Sequence, residues 1–265
     1  MAASFLLSRP RAAFTCARAS CDGSIISQDE HVERIKNTFL YLFSHCELKA
    51  LNILEEQTRN KLSDHIPASH MLVIAAYYEN NEVRVDTQVF PFQKTRTSLK
   101  LVIIGSGEPR VFPFAKETGW ITERKYLEQL KKENNDADEL ILSETDSSGR
   151  MLLFEGLITN FFVIMKEKGK FIIQTAPTER VLPGTMRKLI IEFSKALGFE
   201  VRFECPNWNN RKQWLASFVT SVTKPCFFIK EMRNINSNEN IIFDLNKDAF
   251  EVSTLLEKEL DGFLE

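Results

Sequence analysis

The chain has no long apolar run, no paired cysteines and little net charge. None of its 265 residues belongs to a stretch of the roughly 20 apolar residues that a helix needs to span a bilayer. The five cysteines (16, 21, 46, 205 and 226) are scattered and form no C-x-x-C pair, which argues against a zinc site and for a reducing compartment. The net charge of −2 gives no electrostatic reason to expect a nucleic acid or an anionic membrane as partner. We therefore predict no metal, no nucleic-acid partner and no membrane partner.

The apolar pattern predicts a fold of class α/β (α+β). Residues at three- and four-residue steps predict helices, and alternating or continuous apolar runs predict strands, with no internal repeat. The predicted helices are 28–46, 50–62, 120–134, 185–197 and a short one near 253–260. The predicted strands are 71–78, 82–90, 99–107, 139–144, 151–156, 160–165, 171–176, 200–205, 217–222 and 226–231. The Pro- and Gly-containing segment 106–119 predicts a connector between a small lobe (1–110) and a larger lobe (111–265).

The N-terminal segment has two interpretations. "MAASFLLSRPRAAFTCARASC" is rich in Arg, Ser and Ala and has no acid before Asp22, a composition typical of an organellar transit peptide. The same segment also fits the first strand of the fold. We expect a cytoplasmic protein, with organellar import as the alternative.

Two segments of the larger lobe carry candidate site residues. In "EGLITNFF", Glu155 and Asn160 lie in or beside buried strands, and a buried acid needs a cation or hydrogen-bond donors. Its partner is either a Lys or Arg of the chain or a ligand with a protonated ring nitrogen. In "LPGTMR", Gly184 precedes a helix whose free N–H groups suit an anion, although a plain loop-to-helix junction has the same pattern.

Two cations complete the set of candidates. Arg34, in "EHVERI", lies on a predicted helix of the small lobe. Lys116, in "FPFAKETGW", follows apolar residues that could desolvate its amine, and directly precedes a predicted helix. Lys125 is the alternative reactive lysine, although it lies within that helix among charged residues.

In their order, these motifs resemble the fold-type IV pyridoxal-phosphate enzymes of the class IV aminotransferase family. The family includes branched-chain and D-amino-acid aminotransferases and aminodeoxychorismate lyase, and the resemblance covers roughly residues 12 to 225. It implies a two-lobed D-amino-acid aminotransferase-like fold, with a small α/β lobe and a larger α/β pseudo-barrel lobe. It also implies pyridoxal 5'-phosphate in the cleft between the lobes, a homodimer, and amino acid and 2-oxo acid substrates.

The resemblance implies a role for each candidate residue. Lys116 would bond covalently to the cofactor. The number of residues between Lys116 and Glu139 is close to the corresponding number in the family, whereas the number between Lys125 and Glu139 is too small by about two and a half helical turns. Glu155 would pair with the pyridine nitrogen, with Asn160 beside it. The phosphate would be held by the remaining residues: Arg34, Gly184, Thr185, Met186, Thr220 and Ser221. Met186 stands where the family commonly has Thr, so one hydroxyl is missing there.

Three functions remain open at this point. Transamination is the main prediction. Lyase chemistry on aminodeoxychorismate is the second, because "FTCARASCDG", with Thr15 and Cys16, looks like the corresponding lyase stretch. The third is an inactive family member that acts as a binding protein. For the substrate's carboxylate, the sequence offers Arg84 and Arg96 as candidates.

Overall fold

The computed structural model describes residues 2–91, 98–106, 110–237, 239–244 and 247–264. Its helices are α1 (Ala2–Leu7), α2 (Gln28–Leu42), α3 (Leu48–Leu62), α4 (Gly119–Glu123), α5 (Lys125–Glu133), α6 (Thr185–Ala196) and α7 (Lys247–Leu264). Its strands are β1 (Ala13–Arg18), β2 (His70–Glu79), β3 (Glu82–Pro91), β4 (Ser98–Ser106), β5 (Glu139–Thr145), β6 (Met151–Gly156), β7 (Asn160–Glu167), β8 (Lys170–Thr175), β9 (Glu200–Phe203), β10 (Ala216–Ser221), β11 (Lys224–Asn234) and β12 (Asn240–Ile242).

The chain divides into two compact units. The first contains the described residues of Met1–Lys94, Phe114–Glu123 and Phe263–Glu265, and the second those of Thr95–Pro113 and Arg124–Gly262. The first unit therefore includes the segment around Lys116, which the sequence had led us to expect in the larger lobe.

The first unit is built on an antiparallel sheet in the order β1-β2-β3. The continuous apolar run of β2 is buried on both faces of this sheet, as such a run predicts. Leu72 and Ile74 pack in one cluster with side chains of α2 and α3, including Ile35 and Leu54. Val73 packs in a second cluster with side chains of α1 and β3. Burying a side chain of this size contributes roughly 1.5–3 kcal/mol, so α2 is firmly anchored to the sheet.

The second unit contains a closed, barrel-like sheet of six strands. The ring runs β10-β11-β4-β5-β6-β7 and closes because β7 also pairs with β10, while β8 and β9 extend beyond β7. Along β7, Phe161 and Val163 pack in one core cluster with side chains of β4, β5 and β6. The alternate residues Phe162 and Ile164 pack with α6 and α7 in another. The predicted α/β class with a pseudo-barrel is confirmed.

Two predictions about helices were wrong in detail. The helix predicted over 120–134 is two helices, α4 and α5, separated at Arg124. Ile121 of α4 packs in the core of the first unit, whereas Arg124 bonds to Glu128 and to the Leu157 carbonyl within the second. The helix is interrupted at the position where the chain passes from the first unit to the second. The C-terminal helix α7 is also much longer than the predicted turn or two.

The N-terminal segment contains regular structure. Residues Ala13–Arg18 form β1 and pair with β2 from Ala13↔Ala76 to Arg18↔Met71. Residues Ala2–Leu7 form α1, whose Phe5 and Leu6 are buried. Among the described helices, none is long and apolar enough to cross a membrane.

Candidate active site

Lys116 is held by backbone hydrogen bonds within the first unit. Its N–H donates to Thr38 Oγ1 of α2 at 3.1 Å, and its carbonyl accepts from the N–H of Phe14 in β1 at 2.8 Å. Its Nζ lies 4.8 Å from the centroid of the Phe14 ring. The amine is thus placed against an apolar surface by two rigid elements. Lys125, by contrast, is an exposed residue at the start of α5.

Arg34 lies beside a buried pair that the sequence analysis missed. His31, one turn earlier on α2, is 1 % exposed, and its Nδ1 lies 2.7 Å from Oγ1 of the buried Thr15. Burial above all, with the charges of Arg34 and Lys116, holds the pKa of His31 well below its usual value. The ring is therefore neutral and can accept the Thr15 proton, which leaves the Thr15 oxygen to accept from Arg34 Nη1 at 3.4 Å. The i, i+3 spacing could have placed His31 beside Arg34 on one face of the helix, but no local pattern links either residue to Thr15.

Glu155, at the end of β6, has a partner of opposite charge in the chain. Arg110 donates to Glu155 Oε1 through Nε at 3.1 Å and Nη2 at 2.7 Å. The two side chains are only 10 % and 5 % exposed. The other oxygen, Oε2, accepts from Asn160 Nδ2 at 3.3 Å and from the Leu182 N–H at 3.1 Å. The sequence left open whether Glu155 pairs with a Lys or Arg of the chain or with a ligand, and the structure shows a salt bridge to Arg110.

Asn160 links Glu155 to the segment that precedes α6. It lies opposite Glu155 in the pairing of β6 and β7, and its Nδ2 also donates to the Leu182 carbonyl at 2.8 Å. A Cβ at position 184 would overlap Asn160 Oδ1, so the close approach requires Gly184.

A buried carboxylate holds the connection between β6 and β7. Glu139 Oε1 accepts from the backbone N–H of Leu140 and of Leu157, and Oε2 accepts from Thr159 Oγ1 at 2.9 Å. A side chain at Gly156 would meet both Thr159 and Glu139. This network fixes the geometry that places Glu155 opposite Asn160, and the sequence analysis missed it because its members are far apart in the chain.

The N-terminus of α6 has the features of an anion site. Gly184 is its N-cap residue and supplies no side-chain cap, and the first N–H groups of a helix have no partner within it. Thr185 and Met186 are buried in this first turn. Arg187 donates to the Ala176 carbonyl at 2.7 Å, and this buried bond ties the start of α6 to the segment that follows β8.

The two hydroxyls at the end of β10 differ in their bonding. Thr220 pairs with Asn160 across β10 and β7, and its Oγ1 donates to the Pro225 carbonyl at 2.6 Å. Ser221 follows it, and its buried Oγ has no hydrogen-bond partner within the described chain. Since buried hydroxyls are nearly always bonded, this one fits a ligand acceptor such as a phosphate oxygen.

The structure thus brings the predicted residues together in two sets. Within the second unit, Asn160 contacts both Glu155 and Gly184 and is paired with Thr220. Within the first, Lys116 and Arg34 both act on His31 electrostatically. Arg84 is half-exposed and paired with Glu82, and Arg96 lies outside the described residues.

One sequence family matches most of the chain. The match, to the family described as amino-transferase class IV, covers residues 12–231. No curated protein matches the chain at a significant level.

Solved structures of low sequence identity have a similar fold. The branched-chain aminotransferase of Thermoproteus uzoniensis, solved with norvaline, has a TM-score of 0.74 at 15 % identity, covering all of this chain and 89 % of that one. A hypothetical aminotransferase of Mycobacterium tuberculosis, solved in a PLP-bound form, has a TM-score of 0.68 at 12 % identity, with 96 % and 90 % covered. A putative 4-amino-4-deoxychorismate lyase of Legionella pneumophila has a TM-score of 0.68 at 16 % identity, with 94 % and 91 % covered.

Proposed function

Because the chain belongs to the class IV aminotransferase family, we propose that it transfers an amino group between an amino acid and a 2-oxo acid with pyridoxal 5'-phosphate. The observation that carries the proposal is the orphaned Ser221 hydroxyl, which follows directly after Thr220, the residue that pairs with Asn160 between β10 and β7, while Asn160 pairs with Glu155. A phosphate oxygen and a ring nitrogen are the two groups that this arrangement would receive.

The residues of the second unit would bind the two ends of the cofactor. The free N–H groups at the start of α6, together with the Ser221 hydroxyl, supply donors for the phosphate. The Thr220 hydroxyl donates to the Pro225 carbonyl, so it would have to give up that bond to donate to the phosphate. The carboxylate of Glu155 would hold a protonated ring nitrogen, and Asn160 orients that carboxylate.

The residues of the first unit would supply the reacting amine and a phosphate-binding cation. Lys116 would bond covalently to the cofactor, and its amine, once displaced by the substrate, would carry a proton from the substrate's α-carbon to the cofactor's C4′ carbon. Arg34, oriented through Thr15 and His31, would bind the phosphate. When bound, the cofactor supplies an electron-accepting ring that stabilises negative charge at that α-carbon.

The test uses purified protein saturated with pyridoxal 5'-phosphate and a panel of amino acids and 2-oxo acids. We expect at least one amino acid to convert the bound cofactor to its amino form, and a 2-oxo acid to reverse the change. Aminodeoxychorismate is included in the panel, and release of 4-aminobenzoate would identify the lyase alternative. Cofactor binding without exchange on any substrate would support an inactive binding protein.

We further propose a cytoplasmic homodimer. All five cysteines are free thiols, in keeping with a reducing compartment. Val111 and Phe112 are neighbouring apolar side chains with 82 % and 42 % exposure, and such residues are candidates for a subunit contact. Light scattering of the purified protein tests the dimer, and a monomeric mass would contradict it.

A further inference from the structure

The acceptor capacity of Glu155 is fully used by donors of the chain. An ionised carboxylate has about four acceptor sites, two on each oxygen. Arg110 Nε and Nη2 occupy those of Oε1, and Asn160 Nδ2 and the Leu182 N–H occupy those of Oε2. A ring N–H that bonds to Glu155 must therefore displace one of these four donors.

The three groups of donors differ in how freely they can move. The Leu182 N–H belongs to the backbone, next to the start of α6. Asn160 is fixed by its second bond to the Leu182 carbonyl and by its contact with Gly184. Arg110 lies outside any helix or strand and reaches Glu155 through a long side chain. Displacing that side chain exposes an acceptor site on Oε1 without moving the backbone at Leu182 or the strand that carries Asn160.

We propose that Arg110 competes with the cofactor's ring nitrogen for Glu155 and so limits the affinity of the protein for its cofactor. The inference rests on the proposed function. Arg110 is a positioning residue in this account, because it acts through Glu155 and orients the carboxylate until a second cation replaces it. A protonated ring nitrogen is such a cation, since it carries one N–H donor and a positive charge.

The proposal predicts that loss of Arg110 lowers the melting temperature of the protein alone but strengthens its binding of the cofactor. Without Arg110, the buried Glu155 carboxylate loses its hydrogen-bonded cation and keeps only the longer-range attraction of Arg187, so the protein alone should melt at a lower temperature. The cofactor then restores a cation to Glu155 and no longer has a competitor. It should therefore bind more tightly and raise the melting temperature by more than it does in the wild type.

The experiment measures the dissociation constant of pyridoxal 5'-phosphate and the melting temperature with and without it. The variants are Arg110→Met, which removes every donor, and Arg110→Lys, which keeps the charge but offers a single point contact. We expect about tenfold tighter binding or more for Arg110→Met, the factor that corresponds to one lost charge-assisted bond, and an intermediate value for Arg110→Lys. If Arg110→Met fails to fold, the comparison of Arg110→Lys with the wild type decides.

Arg211→Met is the matched control. Arg211 is similarly covered, at 13 % exposure, and donates to Glu239 at 2.8 Å. Its loss should lower the melting temperature equally with and without cofactor and leave the affinity unchanged. Equal or weaker cofactor binding by the Arg110 variants would overturn the competition while leaving the proposed function intact. Absence of cofactor binding by every protein, the wild type included, would overturn both.

Discussion

Replacing Ser221 by Ala should have opposite effects on stability and on cofactor binding. The buried Ser221 Oγ has no partner within the described chain, and an unpaired buried polar group costs about 1–3 kcal/mol. Removing it should stabilise the protein alone by about 1 kcal/mol, which raises the melting temperature of a chain of this length by about 2–4 °C. If the hydroxyl binds the phosphate, its loss should weaken cofactor affinity about 10- to 100-fold.

Thr220→Val provides the comparison, because Thr220 is the adjacent residue and valine has nearly the same shape. The Thr220 hydroxyl donates to the Pro225 carbonyl at 2.6 Å, so its removal strands a bonded acceptor and should lower the melting temperature. Scanning calorimetry without cofactor and a spectroscopic titration with pyridoxal 5'-phosphate measure both quantities. A Ser221→Ala protein that melts as low as Thr220→Val, or that binds the cofactor as tightly as the wild type, would refute the reasoning.

Three further predictions concern the titratable residues. Arg34→Ala should weaken cofactor binding about 10- to 100-fold without unfolding the protein, and an unchanged dissociation constant in equilibrium dialysis would exclude Arg34 from the site. Glu155→Gln should still bind the cofactor but turn over little, because an amide cannot offset a positive charge on the ring; wild-type rates in single-turnover spectra would contradict this. His31 has a lowered pKa in the folded state, so the unfolded chain binds more protons below a pH of about 6.5 and stability should fall there, by up to about 1.4 kcal/mol per pH unit. His31→Asn, which can still accept from Thr15, should reduce this slope between pH 5 and 6.5; an identical slope in melting temperature would show that other groups cause it.

Local patterns in the sequence predicted the elements that carry the site. The apolar spacing of α6 and the continuous runs of β6 and β7 were sufficient because both-face burial and helical periodicity are local properties. The pattern could not reveal the Arg110–Glu155 pair, since nothing local marks which of many arginines meets a buried acid 45 residues away.

The sequence could not predict that Lys116 belongs to the first unit, for a similar reason. Its grouping with the first unit depends on hydrogen bonds to Thr38 and Phe14, which lie about 80 and 100 positions earlier, at distances that only the fold defines. The single helix expected over 120–134 failed because periodicity continues across Arg124, although the two halves belong to different units.

The central claim is that Lys116 bonds to pyridoxal 5'-phosphate, and one measurement tests it directly. The protein is incubated with the cofactor, reduced with borohydride to make the bond permanent, digested, and analysed by mass spectrometry. We expect the phosphopyridoxyl group on the peptide that contains Lys116, and no label there in the Lys116→Ala variant. Labelling of Lys125 instead, or no labelled lysine in a protein that binds the cofactor, would contradict the account.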